Sequence, residues 1–422
     1  VREDALQYAW QTLQFPLQAL VTTTGQRLHI QHPGRLNTHQ GPDFWDARLQ
    51  LDALQWWGAV EVHVHTTGWY AHGHHQDPRY NSTILHVVAA SSGAPVYRQD
   101  GTLVPELPLG HLLSPAFLAN LETMHTSMPA LPCAHGIAAV PPLLRDTWLT
   151  RMGWARISDK AEALLPLLET YKGDWEQLLW VQLCTALGAP NNSQPFARLA
   201  TTLPMAVVRR YLADAQQLEA LLLGAAGMLA QPVDAYTESL AQEWQYLQQK
   251  HSLHPMDATQ FHQHRMRPAN FPGLRLAQLA ALLHQLPHLF ALVEQPALLR
   301  APVQAAPYWD THYVPGKPGT ARPKRLGKQA LDHLVINALV PFAACYLGQT
   351  GRGPERETLE DWLRALPAED NTITRQFTGL GLPNADAFAS QAWLQLHKSY
   401  CSQRRCTECA IGHHLLHTPA AS

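Results

Sequence analysis

Residues 58–66 read GAVEVHVHT, and the alternation in this stretch decides the fold of the N-terminal part. A strand turns successive side chains to opposite faces. Val60, Val62 and Val64 therefore share one face, and Glu61, His63 and His65 share the other. The valine face is expected to pack inward, leaving a carboxylate and two imidazoles in a row on the opposite side. Similar strand patterns cover residues 27–31, 44–51 and 83–90. Ala5, Leu6, Ala9, Trp10 and Leu13 recur at helical spacing and predict a helix over residues 3–13. A short helical or looped piece over residues 74–80 precedes the last strand. Asp100-Gly101 marks a hairpin within residues 95–104. The order is helix, three strands, helix-like link, strand.

From about Ala116 the pattern becomes helical, with Pro and Gly at the breaks. Helices are expected over residues 143–170, 175–187, 205–229, 236–250, 274–292, 327–346 and 385–400. Residues 307–328 form a long Pro-, Gly- and base-rich connection, and loops of that length are usually functional or disordered. The expected class is α+β: a mixed-sheet α/β module over residues 1–115, then a large all-α domain over 116–422.

Composition narrows the function classes. The 422 residues carry 31 Lys+Arg and 33 Asp+Glu, a net charge of −2, so there is no global attraction to nucleic acid or acidic lipid. Six cysteines are too few for a disulfide-built secreted scaffold. No uninterrupted apolar run reaches membrane-spanning length and no signal segment opens the chain, so a cytoplasmic protein without a membrane partner is expected. Histidine is the outlier, with 24 residues, 10 of them in the first 111.

The chemistry concentrates around the opening stretch. Gly41-Pro42-Asp43-Phe44 starts the preceding strand with a carboxylate, and HGHHQDPRYN (72–81) adds His72, His74, His75 and Asp77. Two carboxylates on adjacent strands, with a basic group two residues beyond the second, is the pattern of metal-dependent nucleases. Asp43 and Glu61 would hold Mg²⁺ or Mn²⁺ through hard oxygen ligands. His63 would orient or deprotonate water or join the metal, and His65 or Asp77 would assist. His63-x-His65 also resembles a cupin ligand pair, and HGHHQD resembles a metallo-β-lactamase run. The helical chain that follows, and the misplaced acid, disfavour both. His86, inside ILHVV, reads as a satisfied core histidine.

A second constellation closes the chain. Cys401, Cys406 and Cys409 form C-x4-C-x2-C, and a tetrahedral Zn²⁺ or a [4Fe–4S] cluster needs a fourth ligand. Candidates are Cys133, His413, His414, His417 and Cys345. Cys133 is favoured because it lies in a Pro-rich, non-helical stretch, whereas Cys184 and Cys345 sit in apolar helices as core thiols. Basic residues cluster at Lys317, Arg322, Lys324, Arg325 and Lys328, again at His262, His264, Arg265, Arg267 and Arg275, and at Arg404 and Arg405. These would neutralise phosphates of a nucleic-acid partner, or else form a solvated linker and helix ends.

The blocks GPDFWDARL, WWGAVEVHVHTTGWYAHGHHQDPRYNSTILHVV, RPANFPGLRLAQLA and YCSQRRCTECAIG resemble the bacterial domain-of-unknown-function 2851 family over nearly the whole chain. Pro42-Asp43, Glu61-x-His63 and the element order also resemble the PD-(D/E)xK nuclease superfamily. That second resemblance implies a restriction-endonuclease-like fold and a helix carboxylate at Glu3. It departs at His63, where lysine is expected. The cysteine arrangement is similar to nucleases that join one distant cysteine to three C-terminal ones around an iron–sulfur cluster. The expected function is a metal-dependent nuclease-like protein acting on DNA or RNA. The alternatives are a non-catalytic nucleic-acid-binding protein on the same fold and a histidine-metal hydrolase of a small substrate.

Overall fold

The computed structural model describes residues 1–18, 20–37, 40–126, 131–263 and 266–417. The chain forms two compact units, residues 1–148 with 397–422, and residues 149–396. The change of composition near residue 115 thus marks the end of the main sheet rather than the edge of a unit. The C-terminal cysteine segment belongs to the strand-bearing unit.

Helix α1 (Glu3–Thr12) buries Ala5, Leu6, Tyr8, Ala9 and Trp10, and stops where Leu13 turns left-handed. Nine strands follow: β1 (Leu20–Val21), β2 (Arg27–His32), β3 (Arg35–Leu36), β4 (Phe44–Leu51), β5 (Leu54–His65), β6 (Thr83–Ala90), β7 (Val96–Tyr97), β8 (Leu103–Val104) and β9 (Glu106–Pro108). Between β5 and β6 lie α2 (Gly68–Ala71) and two short 3₁₀ turns, His74–Gln76 and Pro78–Ser82. The main sheet has seven strands in the order β1-β2-β4-β5-β6-β9, with β3 pairing β4 beside that path. Pairing is antiparallel up to β5 and parallel for β5–β6 and β6–β9. β7 and β8 form the expected hairpin.

The valine alternation places β5 correctly, but both of its faces are covered. Val60 and Val62 are buried, and so are Glu61 and His63, because α1 and α2 both pack against this strand. Parallel strands lie in sheets covered on both faces, and the β5–β6–β9 half follows that rule.

The second unit is helical around one large apolar core that includes Trp180, Phe196, Trp309 and Phe342. It is not purely helical. The connection expected as a long loop contains a 3₁₀ turn, Pro307–Asp310, and a hairpin of His312–Val314 with Lys317–Pro318. Lys328–Thr350 is one continuous 23-residue helix, long and apolar enough to cross a membrane by length and composition, and 61% of its most apolar window is buried inside the fold. Asp332, His333 and Asn337 interrupt its apolar residues, so it holds no uninterrupted apolar run of that length. Its turn at Val335–Leu339 is π-helical. That widening directly precedes Pro341, whose ring lacks an N–H and crowds the preceding turn.

Candidate metal centre

The site is built on the β4–β5 pair. Asp43 stands just before β4, and its backbone N–H donates to Glu61 Oε2 at 2.9 Å. Asp43 Oδ2 in turn accepts the Val62 N–H at 3.0 Å. Each carboxylate thus holds backbone next to the other, and the two acids face one another in a poorly solvated place. Burial pushes the Asp43 carboxyl up to about 7, and the charges of Glu61 and Glu3 add to this against hydrogen bonds from Gln7 and Val62. Burial pushes Glu61 up to about 8, with Glu3 adding. Glu3 and Gln7, one turn apart on α1, therefore both act on this acidic centre.

Three imidazoles meet the acids. His74 Nε2 lies 3.1 Å from Glu61 Oε1, and His63 Nε2 lies 3.7 Å from the same oxygen. His63 Nε2 is 3.0 Å from His72 Nδ1. One ligand nitrogen from each of His63, His72 and His74 falls within 4.8 Å of the other two. His63 and His74 are buried and His72 is exposed. Burial, reinforced by His86, His74 and His72, pushes His63 down to about 2, so its imidazole is neutral. Burial also lowers His74. Its Nε2 is buried and, for all its closeness to Glu61, has no aligned hydrogen-bond partner. A buried imidazole nitrogen without such a partner needs an explanation, and a place for a bound ion is one of the usual ones. Neutral imidazoles with a carboxylate are the donors a divalent transition metal takes, so the residues fit such an ion.

Local sequence explains the placement. Gly68 opens α2 directly against His63, and a Cβ there would come within 2.7 Å of the ring. Gly73 adopts a left-handed φ of 74°, turning the chain between His72 and His74. Tyr80 then stacks on His74 with ring centres 3.8 Å apart.

Behind His63 runs a second row of polar groups. His63 Nδ1 is 2.9 Å from His86 Nε2, and His86 Nδ1 is 3.0 Å from Glu106 Oε2. Thr66 and Ser91 also donate to Glu106 Oε1. Register creates this row: Glu61 pairs His86 across β5–β6, and His86 pairs Glu106 across β6–β9. A carboxylate only accepts, so His86 carries its proton on Nδ1. With a neutral His86, Nε2 is an acceptor and His63 Nδ1 carries the hydrogen. The His63 lone pair is then on Nε2, facing Glu61, His72 and His74. A histidine ligand whose second nitrogen is fixed in this way is typical of metal sites.

The structure places Asp43, Glu61 and His63 together, with the charge of Glu3 reaching both acids. His65 lies at the exposed end of β5. Asp77 caps the Pro78–Ser82 turn through the Arg79 N–H at 3.0 Å and pairs with the Arg79 guanidinium. His72 and His74 were visible as part of a histidine run. His86 is a satisfied buried histidine, yet it also supports the site, and Glu106 carried no sequence signal.

Among the basic residues, Lys317, Arg322, Arg325, Lys328, Arg267, Arg404 and Arg405 are exposed. Arg405 pairs with Glu408, and Arg322 donates to the Tyr313 hydroxyl at 2.9 Å. Lys324 is buried, donating to the Asp310 and Arg322 carbonyls at 2.7 and 3.3 Å. It fastens its own loop and is not presented to a phosphate. His264 and Arg265 lie outside the described residues.

No curated protein and no solved structure matches the chain. A family model does match residues 3–372, which takes in α1, the whole sheet and the histidine cluster. The chain belongs to the family described as protein of unknown function (DUF2851).

Proposed function

We propose that this protein is a divalent-metal-dependent hydrolase of phosphodiester bonds in DNA or RNA. The observation that carries the reading is the convergence of His63, His72 and His74, with Glu61 against His63 and His74 and hydrogen-bonded to the Asp43 backbone. The element order supports the substrate class. After α1, strands β2, β4, β5 and β6 lie side by side with antiparallel, antiparallel and parallel pairing, and α2 lies in the crossover. That arrangement, with acids at Asp43 and Glu61, resembles the PD-(D/E)xK nucleases. The exposed bases Arg267, Lys317, Arg322, Arg325 and Lys328 are suited to phosphate contact.

Imidazole donors shift the preferred ion from Mg²⁺ toward Mn²⁺, Fe²⁺ or Zn²⁺. When bound, such an ion supplies Lewis acidity to the phosphoryl group and acidity to water. The remaining work falls to the chain itself. Glu61 and the three imidazoles fix the geometry. Asp43, whose carboxyl stands near neutrality, takes a proton from the attacking water. His72, the exposed member, is the imidazole a substrate meets first.

A second reading is a hydrolase of a small substrate. It is favoured by the imidazole-rich donor set and by His63 in place of a lysine. Both are tested by incubating the purified chain with Mn²⁺, Zn²⁺ or Mg²⁺ and end-labelled single- and double-stranded DNA and RNA. Cleavage that Glu61→Gln and Asp43→Asn abolish, with folding intact by circular dichroism, supports the phosphodiesterase. Salt-sensitive binding without cleavage indicates a non-catalytic binder. Intact nucleic acid with turnover of small phosphate esters favours the second reading.

A further inference from the structure

The C-terminal cysteines take no part in the histidine site, yet their surroundings are specific. Cys133, Cys401, Cys406 and Cys409 are each 6–8% exposed and belong to the same unit. A Cβ at Gly136, in the turn that Cys133 opens, would come within 2.9 Å of Leu415 Cδ2, so that turn lies against the C-terminal helix that follows Cys409. Cys345, the other thiol considered as fourth ligand, lies in the helical unit. His413 and His417 stack on each other with centres 4.3 Å apart and lie against Tyr8. His413 and His417 are exposed and His414 is half-buried, so Cys133 is the candidate that is both buried and in this unit.

The local backbone is shaped around these sulfurs. Cys133 opens a tight turn, its carbonyl accepting from Gly136 at 3.0 Å and Ile137 at 2.9 Å. Cys409 stands at the start of helix Ala410–His417, where the Ile411 and Gly412 N–H groups face its sulfur. A Cβ at position 412 would come within 2.1 Å of the Cys406 carbonyl oxygen, so glycine lets the helix back onto the cysteine loop. N–H donors aimed at cysteine sulfur are one of the levers that tune iron–sulfur centres.

Spacing separates the metal classes. A tetrahedral Zn²⁺ with bonds of about 2.3 Å holds its sulfurs roughly 3.8 Å apart. The three histidines close to within 4.8 Å, but among the described residues no three of the cysteine sulfurs do. A polynuclear cluster spreads its ligands more widely than a single ion.

We propose that Cys133, Cys401, Cys406 and Cys409 ligate a [4Fe–4S] cluster. The cluster ties the turn at Cys133 to the C-terminal segment. That segment is already docked on α1 and α3 (Pro115–Thr126): His413 meets Tyr8 edge-on with ring centres 5.9 Å apart, and Asn120 donates to the Leu415 carbonyl at 3.2 Å. The centre is a fastener of this unit and is independent of the hydrolase reading.

The test is the full chain expressed and purified without oxygen, with iron, acid-labile sulfide and zinc measured together with the visible spectrum. The expected result is about four iron and four sulfide per chain with broad visible absorbance. Cys133→Ser and Cys409→Ser should lose the iron, while Cys184→Ser, at a core thiol, should retain it. One zinc per chain without iron, or no metal at all, overturns the proposal, as does full iron retention in Cys133→Ser. The wild-type metal content decides even if the serine variants do not fold.

Discussion

Glu106→Ala removes the acceptor at the inner end of the His63–His86–Glu106 row. Two buried donors then lose their partner, His86 Nδ1 and Thr66 Oγ1, each 3.0 Å from the carboxylate. Ser91, the third donor, is half-buried and regains water. Leaving a buried donor unpaired costs about 1–3 kcal/mol, so the two together cost about 2–6 kcal/mol, high for a single substitution. In a unit of this size that lowers Tm by roughly 4–24 °C. Glu106→Gln separates the structural effect from the chemical one. It keeps the shape, but its amide N–H can donate to His86 Nδ1. His86 then carries its hydrogen on Nε2 and donates to His63 Nδ1, which moves the His63 hydrogen onto Nε2 and blocks the lone pair. Mn²⁺ or Zn²⁺ affinity by isothermal titration calorimetry should fall about 10–100-fold, with a smaller drop in Tm than for Glu106→Ala. The reasoning fails if Glu106→Gln binds metal like wild type and Glu106→Ala melts within about 1 °C of it.

Other sites carry separate expectations. Gly68→Ala should push the His63 ring aside, costing about 1–3 kcal/mol of stability and weakening metal binding, both readable in one thermal-shift series with and without Mn²⁺. Lys160 donates to Asn337 and Gln391 at 2.9 and 2.7 Å, and burial, then Arg156, push its ammonium down to about 7. Because its folded pKa is depressed, the unfolded chain binds the proton more tightly between about pH 7 and 10.5. Stability should therefore rise with pH across that window and be lost as pH falls through 7, by at most about 5 kcal/mol. Lys160→Met should flatten this slope in denaturant melts. Arg325→Glu and Lys328→Glu should each weaken nucleic-acid binding and reduce its log–log salt slope by about 1, whereas Lys324→Met should chiefly lower Tm.

Valine alternation sufficed to find β5, and turn residues sufficed for β2, β4, β6 and the β7–β8 hairpin. Those signals are local: period, Gly, Pro and Asp-Gly. What they could not supply was register. Glu106 joins the site because a three-residue parallel strand aligns with His86, and nothing within Glu-Leu-Pro announces that pairing. His72 and His74 were visible as a run, but their convergence depends on the left-handed Gly73 and the stacking of Tyr80. Lys324 looked like one more member of a basic stretch, since its burial comes from how residues 303–326 fold back on themselves. The helix expected to end at residue 346 runs on to Thr350, since Gly348 is held within it and the chain turns left-handed only at Gly351.

The claim on which the account rests is that Glu61, His63, His72 and His74 hold one divalent ion. Calorimetric titration of the full chain with Mn²⁺ tests it most directly, comparing wild type with the Glu61→Gln/His74→Ala double variant. The account predicts one binding site in the wild type and at least a 100-fold loss of affinity in the variant. Equal binding by the two proteins would contradict it.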